Sequence, residues 1–430
     1  MKIKTKGIFI AVALLIFLIP GIGAIYAGFH DYILSSTVTE ERYRNIVFAE
    51  EYPFPDSETE TDADSTITDE NPLLRGYLAF SNKWINYFDY YSGKGNVAPS
   101  FFYYIYGKSN RALGKNLIAD DESSVIRLEN GYLTYPDLHP YESVPLMGII
   151  DFAEWLKSKD IAFLRVLADN KSDYRYAVYP KGFPIKYPTG YADIENEYLE
   201  FLDNNGSSYL NSREVLVSEN DDYYSWFYKT DHHWNVQAGF SVASEIAERL
   251  KTEFGLPVDT DILNRDNFKS VTYENAFLGS QGKKVTHGYI SPEDFEVYYP
   301  QFNTSFSIEV PNMTIDQTDT FENTLIESKY LKTGDYYTNN NYGAFLYGDV
   351  PLIRIHNLNC KNGTRALMIK TSEANVVNTY LAFTVEYLDI IDSRYFDGSV
   401  RSFIEKTHPD VVLSSASPSK VLDDKMLDIK

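Results

Sequence analysis

Cysteine is almost absent from this chain: its 430 residues include one, Cys360. A lone thiol excludes an intramolecular disulfide and a cysteine-built zinc site, so the fold must rest on its core. Positive charge is also scarce, with 39 Lys and Arg against 61 Asp and Glu and a formal net charge of -22. Such a balance repels nucleic acid phosphates and anionic lipid and argues against either as a partner. Tryptophan numbers only 4, whereas 36 Tyr and 26 Phe supply aromatic surface for a polar core or for stacking faces on which sugars dock. No repeat is visible, and no apolar run beyond the first thirty residues is long enough to span a membrane.

The first thirty residues are different. Lys2, Lys4 and Lys6 precede an uncharged stretch of 23 residues, Gly7 to Phe29. That exceeds the roughly 20 residues that cross a bilayer core as a helix, and lysines on the N-terminal flank stay in the cytoplasm. The expectation is a cytoplasmic tail over 1–6, a transmembrane helix over 7–29 and an extracytoplasmic remainder, a single-pass protein of the cell membrane. A cleaved signal peptide with Ala27 before the cleavage point is the competing reading, but the run is longer than a usual signal core. Residues 30–70 read as an acidic juxtamembrane linker, since residues 50–70 hold nine acidic side chains and no basic one.

From 71 to 430 helix and strand patterns alternate, which predicts one α/β domain with a mostly parallel sheet between helical layers. Leu146, Met147, Ile149, Ile150, Ala153 and Leu156 form an apolar helical face, followed by a buried strand over 161–168. A second helix is expected over 192–202 and a short strand over 209–216. The best-supported helix follows Asn235, an N-cap residue, with Val236, Ala238, Phe240, Val242, Ala243, Ile246, Ala247 and Leu250 at helical spacing. Residues 283–347 read as a surface excursion with some strands. The last block predicts β-α-β-α-β, with strands over 365–369, 387–391 and 410–415 and helices over 372–383 and 399–407.

Chemistry-bearing residues gather at two of these junctions. Asp231 and His233 stand just before the helix capped by Asn235. A histidine serves as a base near neutral pH when a carboxylate fixes its tautomer. Ser372 stands between the apolar strand and the helix that follows, where a hydroxyl is exposed and the first free helix N–H groups form an oxyanion hole. Each feature has a plainer reading: a serine before a helix is commonly an N-cap, and Asp231-His232-His233 could bind a metal, although no DxD-type companion supports that. Ser280 is a rival nucleophile or a residue of the substrate groove, without a clear strand-to-helix junction around it. Asn375, one turn after Ser372, is an oxyanion donor or a partner for a nearby loop. Arg394 either pairs with a buried acid or contacts a sugar.

The stretches YYSWFYKTDHHWNVQAGF (223–240), FLGSQGKK (277–284), YGAFLYGDVP (342–351), IKTSEAN (369–375), IIDSRYF (390–396) and IEKTHPDVVL (404–413) resemble the DHHW family. Its members look like the SGNH-type O-acetyltransferase domains of the alginate acetylation machinery. The resemblance implies a three-layer α/β/α SGNH-hydrolase-like domain with Ser372 as nucleophile, His233 as general base and Asp231 orienting it. It implies no cofactor, a membrane-bound acyltransferase as acyl donor, and a cell-surface polysaccharide hydroxyl as acceptor. Relatives carry Lys-Asp-Ser-Tyr where this chain has Lys370-Thr371-Ser372-Glu373. Thr371 therefore either keeps the turn through its hydroxyl or marks an inactive glycan-binding or envelope assembly factor.

Overall fold

Apolar side chains between residues 162 and 416 part into two cores by strand parity. Ala366, Met368, Leu164, Val166, Val411 and Leu413 enter one core, while Leu367, Ile369, Phe163, Leu167 and Val412 enter the other. Strand side chains alternate in direction, so a strand buried on both faces reads as a continuous apolar run. The computed structural model describes residues 98–416 except 119–123, 136–146, 170, 174, 182, 184–189 and 332–335. The expected membrane helix and the acidic linker lie outside the described residues. No helix among the described residues is long and apolar enough to cross a membrane.

Two compact units are distinguished. The smaller one holds α1 (Ala98–Ala112), β1 (Leu117–Ile118) and residues 285–290. Within it Thr286 Oγ1 donates to Tyr103 O at 2.6 Å, and Gly288 lies so close to α1 that an added Cβ would sit 2.0 Å from Tyr104 O.

The larger unit runs β2 (Val125–Arg127), β3 (Leu133–Thr134), α2 (Met147–Lys157), β4 (Ala162–Leu167), α3 (Gly190–Asn204), β5 (Tyr209–Asn211), α4 (Ser212–Glu219) and α5 (Val236–Thr252). It continues with β6 (Phe268–Phe277), α6 (Ser280–Val285), β7 (Glu293–Pro300), β8 (Phe306–Val310), β9 (Ile315–Asp319), α7 (Phe321–Thr324) and β10 (Leu352–Asn357). β11 (Arg365–Lys370), α8 (Ala374–Leu381), β12 (Tyr387–Asp392), α9 (Val400–Thr407) and β13 (Val411–Ala416) complete it.

Eight strands form the main sheet in the order β5-β4-β13-β11-β12-β10-β8-β9. β5, β4, β13, β11 and β12 pair in parallel, whereas β10, β8 and β9 add antiparallel pairings. The sheet is therefore mixed rather than mostly parallel. Its antiparallel side comes in part from the stretch expected to be a surface excursion. Phe306, Ile308 and Val310 of β8, with Phe295, Phe321 and Phe345, are buried in the same core as α5. Weak periodicity there reflects short strands and turns whose aromatics point inward. The strand expected over 209–216 stops at Asn211, whose side chain accepts from Arg213 N at 3.1 Å and starts α4. The terminal β-α-β-α-β block is present as β11-α8-β12-α9-β13.

Helices cover both faces. Ile149, Ile150, Phe152 and Leu156 of α2, Tyr198 and Leu202 of α3, and Val400 and Ile404 of α9 pack on one face. α5 and α8 pack on the other. Asn235 caps α5 as expected, accepting from Ala238 N at 3.1 Å. α5 reaches α8 closely at Gly239, where a Cβ would lie 2.1 Å from Val376 Cγ1. Val376 is fully buried and has nowhere to retreat. Gly239→Ala is therefore expected to cost about 2 kcal/mol by overpacking, and adding Val376→Ala should recover part of the loss in thermal melts.

Candidate active site

The segment before α5 is held by backbone pairing, by the buried Lys171 and by the half-buried Glu293. Phe227 and Trp234 form an antiparallel bridge, Tyr228 N donates to His233 O at 3.3 Å, and Asn235 N donates to Trp226 O at 2.9 Å. Glu293 accepts from Lys229 N at 2.8 Å and from Thr230 N at 2.7 Å, and Lys171 Nζ donates to Tyr228 O at 2.7 Å. Burial pushes the Lys171 amine down to about 7 and pushes the Glu293 carboxyl up, as expected for charges removed from water. These partners fix the loop that presents Asp231 and His233.

Asp231 uses both oxygens. Its Oδ1 accepts from His233 N at 3.0 Å and lies 2.5 Å from His233 Nδ1, and its Oδ2 accepts from Ser280 N at 2.6 Å. Burial works to raise its pKa, but His232, His233 and the hydrogen bonds outweigh burial and hold the carboxyl well below its ordinary value. Gly279 makes this approach possible, since a Cβ there would lie 2.2 Å from Asp231 Cβ. With Nδ1 donating to the carboxylate, the basic lone pair of His233 falls on Nε2. Nε2 is buried and has no hydrogen-bond partner. Tyr342 stacks on the His233 ring with centroids 3.9 Å apart and an interplanar angle of 13°.

Ser372 lies in the turn between β11 and α8. Thr371 N donates to Ser415 O at 3.1 Å, and Thr371 Oγ1 donates to Glu373 Oε2 at 2.5 Å, so the threonine hydroxyl does tie the turn. Glu373 O accepts from Trp234 Nε1 at 2.7 Å and from Tyr342 OH at 3.2 Å. One residue from the Asp-His loop and one that stacks on His233 thus hold the carbonyl next to Ser372. Ser372 itself is buried.

Several expectations change. α8 begins at Ala374, and the N–H groups of Ala374 and Asn375 donate to Thr371 O and Ser372 O at 3.2 and 3.1 Å. Those two amides serve the turn and are not free oxyanion donors. Ser280 does occupy a strand-to-helix junction, between β6 and α6. Its Oγ lies 3.0 Å from His232 Nδ1 and 3.4 Å from Tyr135 OH, so it belongs to His232 rather than to His233. Arg394 pairs with the fully buried Asp392 through Nε at 2.9 Å and Nη2 at 2.6 Å, while its side chain stays partly exposed. Asn375 Nδ2 reaches Asp349 Oδ1 at 3.4 Å. The ligand-type atoms of Asp231, His232 and His233 lie within 4.8 Å of one another, and the Asp231 oxygens accept from three N–H groups. Sequence reasoning missed Tyr342, Asp349, Lys171 and Glu293. The first two lie in the stretch 342–351 that carried part of the resemblance, whereas no local pattern distinguishes the other two.

A mixed α/β sheet in which the Asp-x-His loop is tied to the serine turn through Trp234 and Glu373, without a hydrogen bond between His233 and Ser372, places this chain in a class of fold already represented among solved structures. A DHHW family protein from Eubacterium siraeum matches with a TM-score of 0.54 at 16% identity, over 73% of this chain and 96% of that one. Bacillus cereus PatB1 matches at 0.53 and 19% identity, over 72% and 98%, and its structure with a sulfonyl adduct at 0.54 and 18% over the same shares. The O-acetyltransferase domain of Pseudomonas putida AlgJ is more distant, at 0.41 and 10% identity over 69% and 91%. No family model and no curated protein matches the chain. At these identities the likeness is one of fold.

A carboxyl held below its unfolded value stabilises the protein above that unfolded value, and the contribution is lost as pH falls through the folded one. Asp231→Asn is expected to cost about 3 kcal/mol near pH 6, where a buried pair loses its anion, and far less near pH 2. Denaturant melts across that range check the sign.

Proposed function

We propose that the chain is an extracytoplasmic O-acetyltransferase or acetylesterase of SGNH type, anchored in the cell membrane by its N-terminal helix and acting on a cell-surface polysaccharide. The observation that carries this reading is His233: its Nδ1 is held by Asp231, its Nε2 is buried and unpartnered, and its ring shares Tyr342 with the serine turn. Ser372 Oγ attacks the acyl carbonyl as His233 Nε2 takes the hydroxyl proton, and Asp231 stabilises the imidazolium. Collapse expels the donor oxygen, which recovers the proton and leaves acetyl-serine. A sugar hydroxyl then attacks the ester, giving its proton to His233, and Ser372 departs with that proton. A membrane-bound acyltransferase supplies the acyl group, and no cofactor takes part.

A second reading is a glycan-binding or envelope assembly factor that keeps the fold without the reaction. Thr371 favours it, because the turn here is tied through Glu373 rather than through the aspartate of the resembling family. Intact-mass measurement of the soluble domain after exposure to an activated acetyl ester separates the two. The expected result is one acetyl group on the wild-type protein, none on Ser372→Ala, a rate lowered about 10³-fold in His233→Ala, and no effect of chelators. Equal labelling of wild type and Ser372→Ala removes Ser372 as nucleophile.

A further inference from the structure

The run Leu346, Tyr347 and Gly348 has positive φ throughout, at 51°, 63° and 79°. Two non-glycine residues in the left-handed region are costly, and such strain persists only where the surroundings impose it. Here they do: Leu346 and Tyr347 are buried, Leu346 N donates to Leu325 O at 3.1 Å, and Gly348 N donates to Phe345 O at 3.1 Å. The strained run delivers the next residue, Asp349, to three partners. Its Oδ1 accepts from Lys370 Nζ at 3.2 Å and from Asn375 Nδ2 at 3.4 Å, and its Oδ2 lies 3.0 Å from Arg394 Nη2.

Both cations have another carboxylate, since Lys370 and Arg394 also pair with Asp392, at 3.1 and 2.6 Å. The contact that depends on Asp349 alone is the one to Asn375. Asn375 is 2% exposed and its Oδ1 has no hydrogen-bond partner. A free amide in that position would turn its oxygen toward any donor, but a facing carboxylate forbids that turn by repulsion. Asp349 is exposed, so the desolvation that works to raise its pKa is partial, and Lys370 and Arg394 beside it outweigh that and hold the carboxyl below its ordinary value. We infer that Asp349 is a positioning residue that orients the Asn375 amide so that its second Nδ2–H serves the oxyanion formed when Ser372 is acylated. This rests on the acyl-transfer reading above, and it supplies a donor in place of the backbone N–H groups spent within the turn.

A double-mutant cycle on the rate of Ser372 acetylation by an activated ester tests it, with thermal melts to confirm folding. Asn375→Ala should slow acylation about 100-fold and Asp349→Ala about tenfold, with ester KM unchanged. If Asp349 acts through Asn375, the double variant is no slower than Asn375→Ala, because the second change has nothing left to orient. Asp349→Asn, which keeps an accepting oxygen, should restore most of the rate. Multiplied losses in the double variant overturn the inference. A second arm needs no activity: exchange of the Asn375 side-chain NH₂ protons, followed by NMR, should quicken at least about tenfold in Asp349→Ala as the hydrogen bond is lost. Unchanged exchange overturns the inference, whereas a wild-type protein that never acylates but shows the exchange effect counts against the acyl-transfer reading and leaves the amide orientation standing.

Discussion

One carbonyl oxygen, that of Glu373, joins the two halves of the site. It accepts from Trp234 of the Asp-His loop and from Tyr342, whose ring lies flat on His233. A carbonyl has two lone pairs, and here both are used on donors that are themselves fixed in the core. Each bond is worth only about 1 kcal/mol in stability. On the proposed acyl-transfer reading their larger effect is geometric, because reacting groups displaced by about 1 Å lose orders of magnitude in rate. The close approach of α5 and α8 at Gly239 serves the same end, since those helices follow the loop and the turn directly.

Around that link the protein buries an unusual amount of charge. Asp231, Lys171, Lys370 and Asp392 are buried, and Glu293 is half-buried. Each has partners that offset the cost of leaving water: N–H groups for Asp231 and Glu293, carbonyls for Lys171, and the Lys370, Arg394 and Asp349 grouping for Asp392. Buried charges of this kind contribute little net stability, but they penalise any arrangement in which a partner is missing. The loop before α5 is held by such groups from both sides, so the position of His233 follows from electrostatics as much as from packing.

Much of this was legible in the sequence. Asn235 as the cap of α5, the terminal β-α-β-α-β block and the pairing of Asp231 with His233 are local features, set by helical spacing, strand length and a two-residue separation. The antiparallel side of the sheet was not legible, because β8 and β10 join it through contacts far apart in the chain and their short apolar patterns resemble surface turns. The strand expected over 209–216 ends early, at Asn211, because that residue caps a helix, a competition that composition alone does not resolve. Ser280 was placed away from a strand-to-helix junction because β6 ends in a register irregularity at Tyr273 to Phe277 that masks the strand pattern. Asp349 depends on a strained left-handed turn, and Tyr342 on a single 3-10 turn over Asn341–Ala344, neither of which any periodicity announces.

The most direct test of the link through Glu373 is a crystal structure of residues 71–430 treated with a sulfonylating reagent, the class of adduct carried by its fold neighbour PatB1. The account predicts the sulfonyl group on Ser372 Oγ, His233 Nε2 within hydrogen-bond reach of it, and the Glu373 carbonyl still held by Trp234 and Tyr342. A sulfonyl group on Ser280 beside His232, or a Ser372 turned away from His233 with the Glu373 contacts intact, would contradict it.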